Sequence, residues 1–184
     1  MTPGWMRDPD TVPPHPFRGS MVAYASGRII GIDGVIPWNH PLDVKRLWRL
    51  TRGAAIVLGR LTWKSMPRRA TRRCRPLVLS SRPLRRVETF ASLPAALAAA
   101  EGETVWFLGG TRVYQDAFAY ADFLDVTLIP DRLAPAPGQR VATFPRIDPA
   151  RWEPGPDLPD PDDPGVIRRR YRRRPIPFPG EDEP

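Results

Sequence analysis

Short apolar runs alternate, through the middle of this chain, with stretches whose apolar residues recur at helical spacing. Met21 to Ala25 and Ala54 to Leu58 are runs of the kind that form strands buried on both faces. Between them Gly31, Gly34 and Pro37 mark a loop. Asp43 to Thr51 then carries Val44, Leu47, Trp48 and Leu50 at helical spacing, with Gly53 as a stop. The second strand runs into Gly59-Arg60 and a short helix through Trp63. Further strands are predicted at Leu77 to Leu79, Val87 to Phe90, Thr104 to Leu108, Phe123 to Ile129 and Val166 to Arg173. Further helices are predicted at Leu93 to Ala100 and Arg112 to Ala119, and Arg68 to Arg75 reads as an arginine-rich loop.

Strands alternating with helices predict an α/β fold, a single domain whose central, mainly parallel mixed sheet is flanked by helices. Pro3, Pro9, Pro13, Pro14 and Pro16 disfavour helix and strand. Residues 1–18 are therefore expected as a disordered or loosely ordered tail, 19–174 as the domain and 175–184 as a C-terminal tail. In such sheets ligands sit beyond the carboxyl ends of the strands. Three strand ends here carry hydroxyls, guanidiniums or glycines: Gly59-Arg60-Leu61-Thr62, Ser80-Ser81-Arg82 and Gly109-Gly110-Thr111-Arg112. Two of them open helices, whose N-termini favour phosphate. Taken singly, a Gly-Gly before a helix reads as readily as a tight turn.

The net charge of +8 admits nucleic acid, an acidic surface or an anionic small molecule as partner. Nearly all of that charge is arginine, Lys45 and Lys64 being the only lysines, which also fits a plain compositional bias. One cysteine, Cys74, leaves no intrachain disulfide and no Cys-based zinc site. His15 and His40 are too isolated for a metal cluster. The N-terminus lacks the apolar run of a signal peptide, and no window is long and apolar enough to span a bilayer. A cytoplasmic monomer without a membrane partner is the expectation.

The segment Ile30-Gly31-Ile32-Asp33-Gly34-Val35-Ile36-Pro37-Trp38-Asn39-His40-Pro41-Leu42-Asp43 resembles the signature of the dihydrofolate reductase family, bacterial type. Leu58 to Met66, Leu77 to Arg82, Leu108 to Tyr114 and Val126 to Ile129 resemble its later motifs in order and spacing. The resemblance implies a dihydrofolate reductase-like fold, NADPH as cofactor and dihydrofolate or a related dihydropterin as substrate. It implies that Asp43 holds the pterin and promotes protonation through a water, supported by Thr127. Trp38 walls the site, and Gly31 to Trp38 form a lid. An acid in an apolar pocket suits proton chemistry near neutral pH, and a carboxylate can accept bidentately from a pterin's paired donors. On the residues alone, Asp43 reads equally as a helix N-cap, and Trp38 as core packing.

The resemblance further places Met21, Val22, Val44, Leu47 and Met66 on the substrate side. Arg60, Ser81 and Arg82 fall at an adenosine 2′-phosphate, and Thr62, Gly110, Thr111, Arg112 and Val113 at a pyrophosphate. Ala23 and Leu108 flank a nicotinamide, with Ile30, Ile36, Gly59, Ser80, Gly109 and Tyr114 also on the cofactor side. In this family the glycines matching Gly109 and Gly110 are joined by a cis peptide bond. The match departs at Cys74, which stands where the family has an arginine gripping the tail carboxylate of folate. Arg73 or Arg75 is a candidate replacement, and Leu47 stands where an aromatic is common. A specialised pteridine reductase of the same family is the alternative these changes allow. The riboflavin-pathway reductases, which share the fold, lack the Pro37-Trp38-Asn39 and downstream Asp43 arrangement. A non-enzymatic reading rests on Arg168 to Arg170 and Arg172 to Arg174 as a nucleic-acid patch. It is disfavoured because Tyr171 interrupts the run and the pattern fits the solvated face of an edge strand.

Overall fold

In a computed structural model of the protein, which describes residues 2–8 and 10–175, the apolar runs become strands of one sheet. Its parallel part is formed by β1 (Arg18–Tyr24), β3 (Ala55–Gly59), β4 (Arg75–Leu79), β5 (Glu88–Phe90), β6 (Val105–Phe107) and β7 (Phe123–Leu128). β11 (Ile167–Arg173) pairs antiparallel with β7 and carries β9 (Trp152–Pro154) and β10 (Leu158–Pro159). The order is β10-β11-β7-β1-β6-β3-β4-β5, with β9 also on β11. A separate antiparallel pair joins β2 (Ile29–Ile32) to β8 (Val141–Thr143). The helices are α1 (Pro41–Leu50), α2 (Arg60–Ser65), α3 (Arg68–Thr71), α4 (Leu93–Ala99) and α5 (Thr111–Ala117). The α/β class read from the sequence holds; α3 turns part of the expected arginine-rich loop into a helical turn.

Successive strand residues face opposite sides, and the sheet divides its apolar residues accordingly. One face packs Val22, Val57, Leu77, Phe107 and Leu124 beneath α4 and α5, with Leu97 and Val113 from those helices. The other packs Met21, Ile56, Leu58, Val78, Trp106 and Phe123 against Leu47, Trp48 and Leu50 of α1 and Trp63 of α2. Gly19 lets the two central rings close on β1, since a Cβ there would stand 2.8 Å from the Trp106 ring and 2.9 Å from that of Phe123. Pro41 opens α1 in the first turn, where its missing N–H costs nothing. Gly53, at φ +78°, turns the chain back into β3 and donates its N–H to Arg73 at 2.8 Å.

The N-terminal segment is not the loose tail its prolines imply. Met6 is fully buried, Phe17 is nearly so, and the Trp5 ring packs on Phe123 at 5.1 Å. Prolines remove regular structure but not burial. What fastens this segment is a buried guanidinium: Arg170 donates to the carbonyls of Trp5, Asp8 and Thr11 and to Asp125. Of the expected C-terminal tail, residues 176–184 lie outside the described residues. No described helix is long and apolar enough to cross a membrane.

β11 is also not the charged edge strand expected from its composition. It lies inside the sheet, with Arg168 and Arg170 only 5% and 2% exposed. Arg170 and Arg46 of α1 meet over Asp125 of β7, Arg46 closing a two-pronged contact at 2.9 and 2.7 Å and Arg170 Nε donating at 2.8 Å. Burial opposes ionisation of Asp125, but the two guanidiniums outweigh it and hold the carboxyl down at about 2. A depressed carboxyl contributes stability that is full above the ordinary carboxylate range and drains away as pH falls toward that value. Asp125→Asn, which leaves two buried guanidiniums facing a neutral amide, is expected to cost about 3–5 kcal/mol. Urea unfolding at neutral pH reads this directly; an unchanged midpoint would show that the guanidiniums need no counter-charge.

Candidate active site

The N-cap of α1 is His40, with Pro41 next, so Asp43 lies inside the first helical turn and is not the cap. Its Oδ1 accepts from Thr127 Oγ1 at 2.8 Å and from Arg168 Nη1 at 3.3 Å. Among the described residues Oδ2 has no protein donor, and the side chain is 19% exposed. Register explains the convergence: Arg168 on β11 stands directly across from Thr127 on β7, and Arg170 across from Asp125 two residues along. Asp43 and Arg46, three apart on α1, share one helix face. The apolar surroundings expected for Asp43 are therefore only half of its environment; the sheet side is charged.

Met21, Leu108, Leu47, Met66 and Cys74 share one apolar cluster on the α1 side of the sheet. Trp38 and Ala23 pack together with Ala25, Ile129 and Val166 in a neighbouring one. Val44 is half exposed. Val22 does not join them, because strand alternation sends its side chain into the opposite core. Val35 and Ile36, in the lid, are 67% and 62% exposed. The lid turn itself is anchored: Asp33, at φ +52°, accepts from the Arg140 N–H at 2.9 Å and from Gln139 Nε2 at 3.0 Å. Where the lid meets α1, His40 is held between Asp131 at 3.0 Å and Asp163 at 2.9 Å.

The three strand ends singled out in the sequence come together, because β6, β3 and β4 are parallel neighbours. The Gly59 N–H donates to the Gly109 carbonyl at 2.7 Å. The Gly109–Gly110 bond is cis, and Gly109, at φ +96°, has no room for a Cβ, which would fall 2.7 Å from the Tyr114 ring. Ser80 Oγ accepts from the Arg82 N–H at 3.2 Å and donates to its carbonyl at 2.8 Å, which shapes the turn that presents Ser81. Arg60, Ser81 and Arg82 are exposed, and among the described residues their side chains have no protein partner. Arg112 is likewise exposed, with only a loose contact to Asp116 at 3.6 Å. Thr111 Oγ1 ties α5 to β8 through the Thr143 carbonyl at 3.0 Å, and Thr62 Oγ1 lies beside Gly110. Val113 and Tyr114 are core residues, the tyrosine donating to the Met21 carbonyl at 2.8 Å, and Ile30 packs against the same core.

On the substrate-tail side the structure separates the candidates. Arg75 cannot serve: its guanidinium is taken by Glu88 at 2.8 and 2.9 Å, by Glu103 and by the Ala99 carbonyl. Cys74 turns inward, its thiol donating to the Thr51 carbonyl at 3.2 Å, and burial pushes that thiol up. Arg73 remains exposed. Sequence reasoning missed Arg168 altogether, since it sits inside a run of arginines. Only the β7–β11 register distinguishes it from Arg169, which points the other way to Asp157.

A family model described as dihydrofolate reductase matches residues 19–158. Among characterised relatives, the dihydrofolate reductase HdrB of Haloferax volcanii is 32% identical over 145 residues, 72% of each chain. A dihydrofolate reductase of Bacillus subtilis is 32% identical over 135 residues, 71% of this chain and 77% of that one. Of solved structures, a dihydrofolate reductase from Enterococcus faecalis, complexed with NADP(H) and RAB-propyl, superposes with a TM-score of 0.73. It is 24% identical and covers 86% of this chain and 97% of its own.

The hold on His40 has a pH signature. Hydrogen bonding to Asp131 raises its pKa most, with burial opposing and Asp163 adding to the rise. A raised histidine contributes stability that is full below its ordinary value of 6.5 and is lost as pH rises through the higher folded value. His40→Gln is expected to lower the thermal midpoint at about pH 6 and to leave it nearly unchanged at about pH 9. Equal losses at both would place the contribution in packing instead of charge.

Proposed function

Because the chain belongs to the dihydrofolate reductase family, we infer that it reduces 7,8-dihydrofolate to 5,6,7,8-tetrahydrofolate by hydride transfer from NADPH, with Asp43 promoting the protonation. The observation that carries the role of Asp43 is its geometry. One oxygen is fixed by Thr127 and Arg168 while, among the described residues, the other has no protein donor; Leu47, one turn along α1, belongs to the apolar cluster of Met21, Met66 and Leu108. Such a carboxylate can accept both the ring N–H and the exocyclic amine of a pterin. A C=N bond accepts hydride readily only as its nitrogen becomes protonated, and a water held between Asp43 and Trp38 supplies that proton. The lid, carrying Val35 and Ile36, closes apolar side chains over the site and excludes bulk water.

The residues present fit the dinucleotide. Exposed Arg60, Ser81 and Arg82, free of protein partners among the described residues, match a 2′-phosphate. Gly109, where a Cβ would collide with Tyr114, lets the chain pass closely over that ring, and Gly110, Thr62, Thr111 and Arg112 would hold the pyrophosphate. Ala23 and Leu108 would flank the nicotinamide. When bound, NADPH supplies the hydride. The chain is read as a cytoplasmic monomer without a nucleic-acid partner. What supports the last point is that the arginines of β11 are engaged: Arg169 with Asp157, Arg172 with Glu153, and Arg173 with two carbonyls and the Trp152 ring.

A second reading has its own observation. With Cys74 turned inward and Arg75 consumed by Glu88 and Glu103, Arg73 is the flanking arginine left to grip a folate tail. Where it does not grip, a pterin lacking the glutamate is reduced as well as dihydrofolate. Asp43→Asn is expected to lower kcat/KM with dihydrofolate by about 10²–10⁴ while NADPH binding, read by fluorescence, stays at the parent level. Loss of both would mean a damaged fold. Comparison of dihydrofolate with dihydropteroate, followed by NADPH oxidation, decides the tail. A KM roughly 30-fold or more in favour of dihydrofolate establishes Arg73 as the clamp, and parity shows that the clamp is gone.

A further inference from the structure

Arg168 is almost fully buried and touches the Asp43 carboxylate. Its Nε and Nη2 are spent on Asp160 Oδ2, the first at 3.1 Å, and only Nη1 reaches Asp43. Asp160 is itself fixed, its Oδ1 accepting from the N–H groups of Asp162 at 3.0 Å and Asp163 at 3.2 Å. A planar guanidinium gripped along one edge by an immobile carboxylate has its remaining nitrogen aimed. Because Arg168 and Thr127 are cross-strand partners, two donors from adjacent strands converge on one oxygen of Asp43. That leaves the carboxylate no freedom to turn and makes Oδ2 the oxygen offered outward. Asp43, Asp160 and Arg168 line one cavity of about 260 Å³, together with His40.

We propose that Arg168 is a positioning residue for the reduction: it orients the Asp43 carboxylate and loads it with positive charge, and Asp160 sets how much of that charge Asp43 receives. The proposal rests on Asp43 being the pterin-facing carboxylate. The other charged or titratable groups around Asp43 are known. Arg46 lies on its own helix and Tyr114 on α5, both within its field. Asp125 pairs with both Arg46 and Arg170 one step along the sheet, and Arg46 also lies 3.9 Å from Asp10. His40 at the helix start is answered by Asp131 and Asp163. Arg168 is thus the cation in direct contact with Asp43, and its charge is divided between two carboxylates.

Division of a charge predicts shifts of opposite sign, which a purely structural tie would not give. The test is the pH dependence of kcat/KM for dihydrofolate in the parent, Arg168→Met, Arg168→Lys and Asp160→Asn, with Asp43→Asn alongside. Arg168→Met is expected to move the midpoint of the profile up by about one pH unit or more. Arg168→Lys should return most of that shift. Asp160→Asn should move the midpoint down, since the guanidinium then serves Asp43 alone. Should Arg168→Met fail to fold, the lysine and Asp160 variants still decide the matter. Midpoints that stay with the parent, or that move the same way in Arg168→Met and Asp160→Asn, overturn the proposal. Full turnover in Asp43→Asn would instead remove the reading of Asp43 on which it rests.

Discussion

The register between β7 and β11 is the constraint on which the site depends. Antiparallel pairing sets Arg168 opposite Thr127 and Arg170 opposite Asp125. Since residues two apart on a strand share a face, both pairs point toward α1. There Asp43 and Arg46, one helical turn apart, complete two tiers: Asp43 with Thr127 and Arg168, Arg46 with Asp125 and Arg170. A slip of one residue along β11 would turn Arg168 and Arg170 to the other face. The deeper tier is wholly buried and makes such a slip costly, because it would take the Arg170 guanidinium from Asp125 into an apolar layer. The shallower tier leaves Asp43 partly exposed. The same pairing rule that stabilises the sheet thus places the carboxylate.

The cofactor side follows from a different feature of the same sheet. Parallel order places the carboxyl ends of β6, β3 and β4 side by side, so three unremarkable sequence fragments become one surface. The close contact between Gly59 and Gly109 holds two of those ends together, and the absence of a Cβ at Gly109 lets the chain pass over Tyr114. Of the guanidiniums there, Arg60 and Arg82 have no carboxylate among the described residues and Arg112 has only the loose contact to Asp116. Arginine therefore stands in two settings in this chain: paired with carboxylates where it is buried in β11, and largely unpaired at the exposed strand ends.

Much of this was legible in the sequence. The apolar runs of β1, β3 and β7 and the helical spacing of Leu47, Trp48 and Leu50 located the elements that matter, and motif order carried the family. Thr127 does donate to Asp43, and the Gly109–Gly110 bond is cis. What the sequence concealed depends on partners distant along the chain. Proline-rich residues 1–18 read as a tail because no local pattern reveals that Arg170 collects the carbonyls of Trp5, Asp8 and Thr11. Arg75 read as a candidate ligand because Glu88 and Glu103 become neighbours only when β5 and α4 pack beside β4. The alternation that sends Met21 to the site and Val22 to the opposite core was implicit in strand period, but a resemblance transfers positions and not side-chain directions.

The run of arginines in β11 shows why composition alone misleads. Read linearly, it is a block of like charge, which ordinarily repels itself and seeks an external anion. Folded as a strand, the block is divided among carboxylates. Arg168 and Arg170, two apart on one face, go inward to Asp43, Asp160 and Asp125, Arg169 on the opposite face goes to Asp157, and Arg172 near the strand end goes to Glu153. Each inward guanidinium bridges two elements that are far apart in sequence, α1 or the N-terminal segment on one side and the strand on the other. Lysine, with a single point charge and no fixed fork, could not span two partners at defined angles. The arginine bias of the chain is therefore used structurally in this strand, and one of its members, Arg168, stands close enough to Asp43 for the fold's charge compensation and the enzyme's chemistry to share a group.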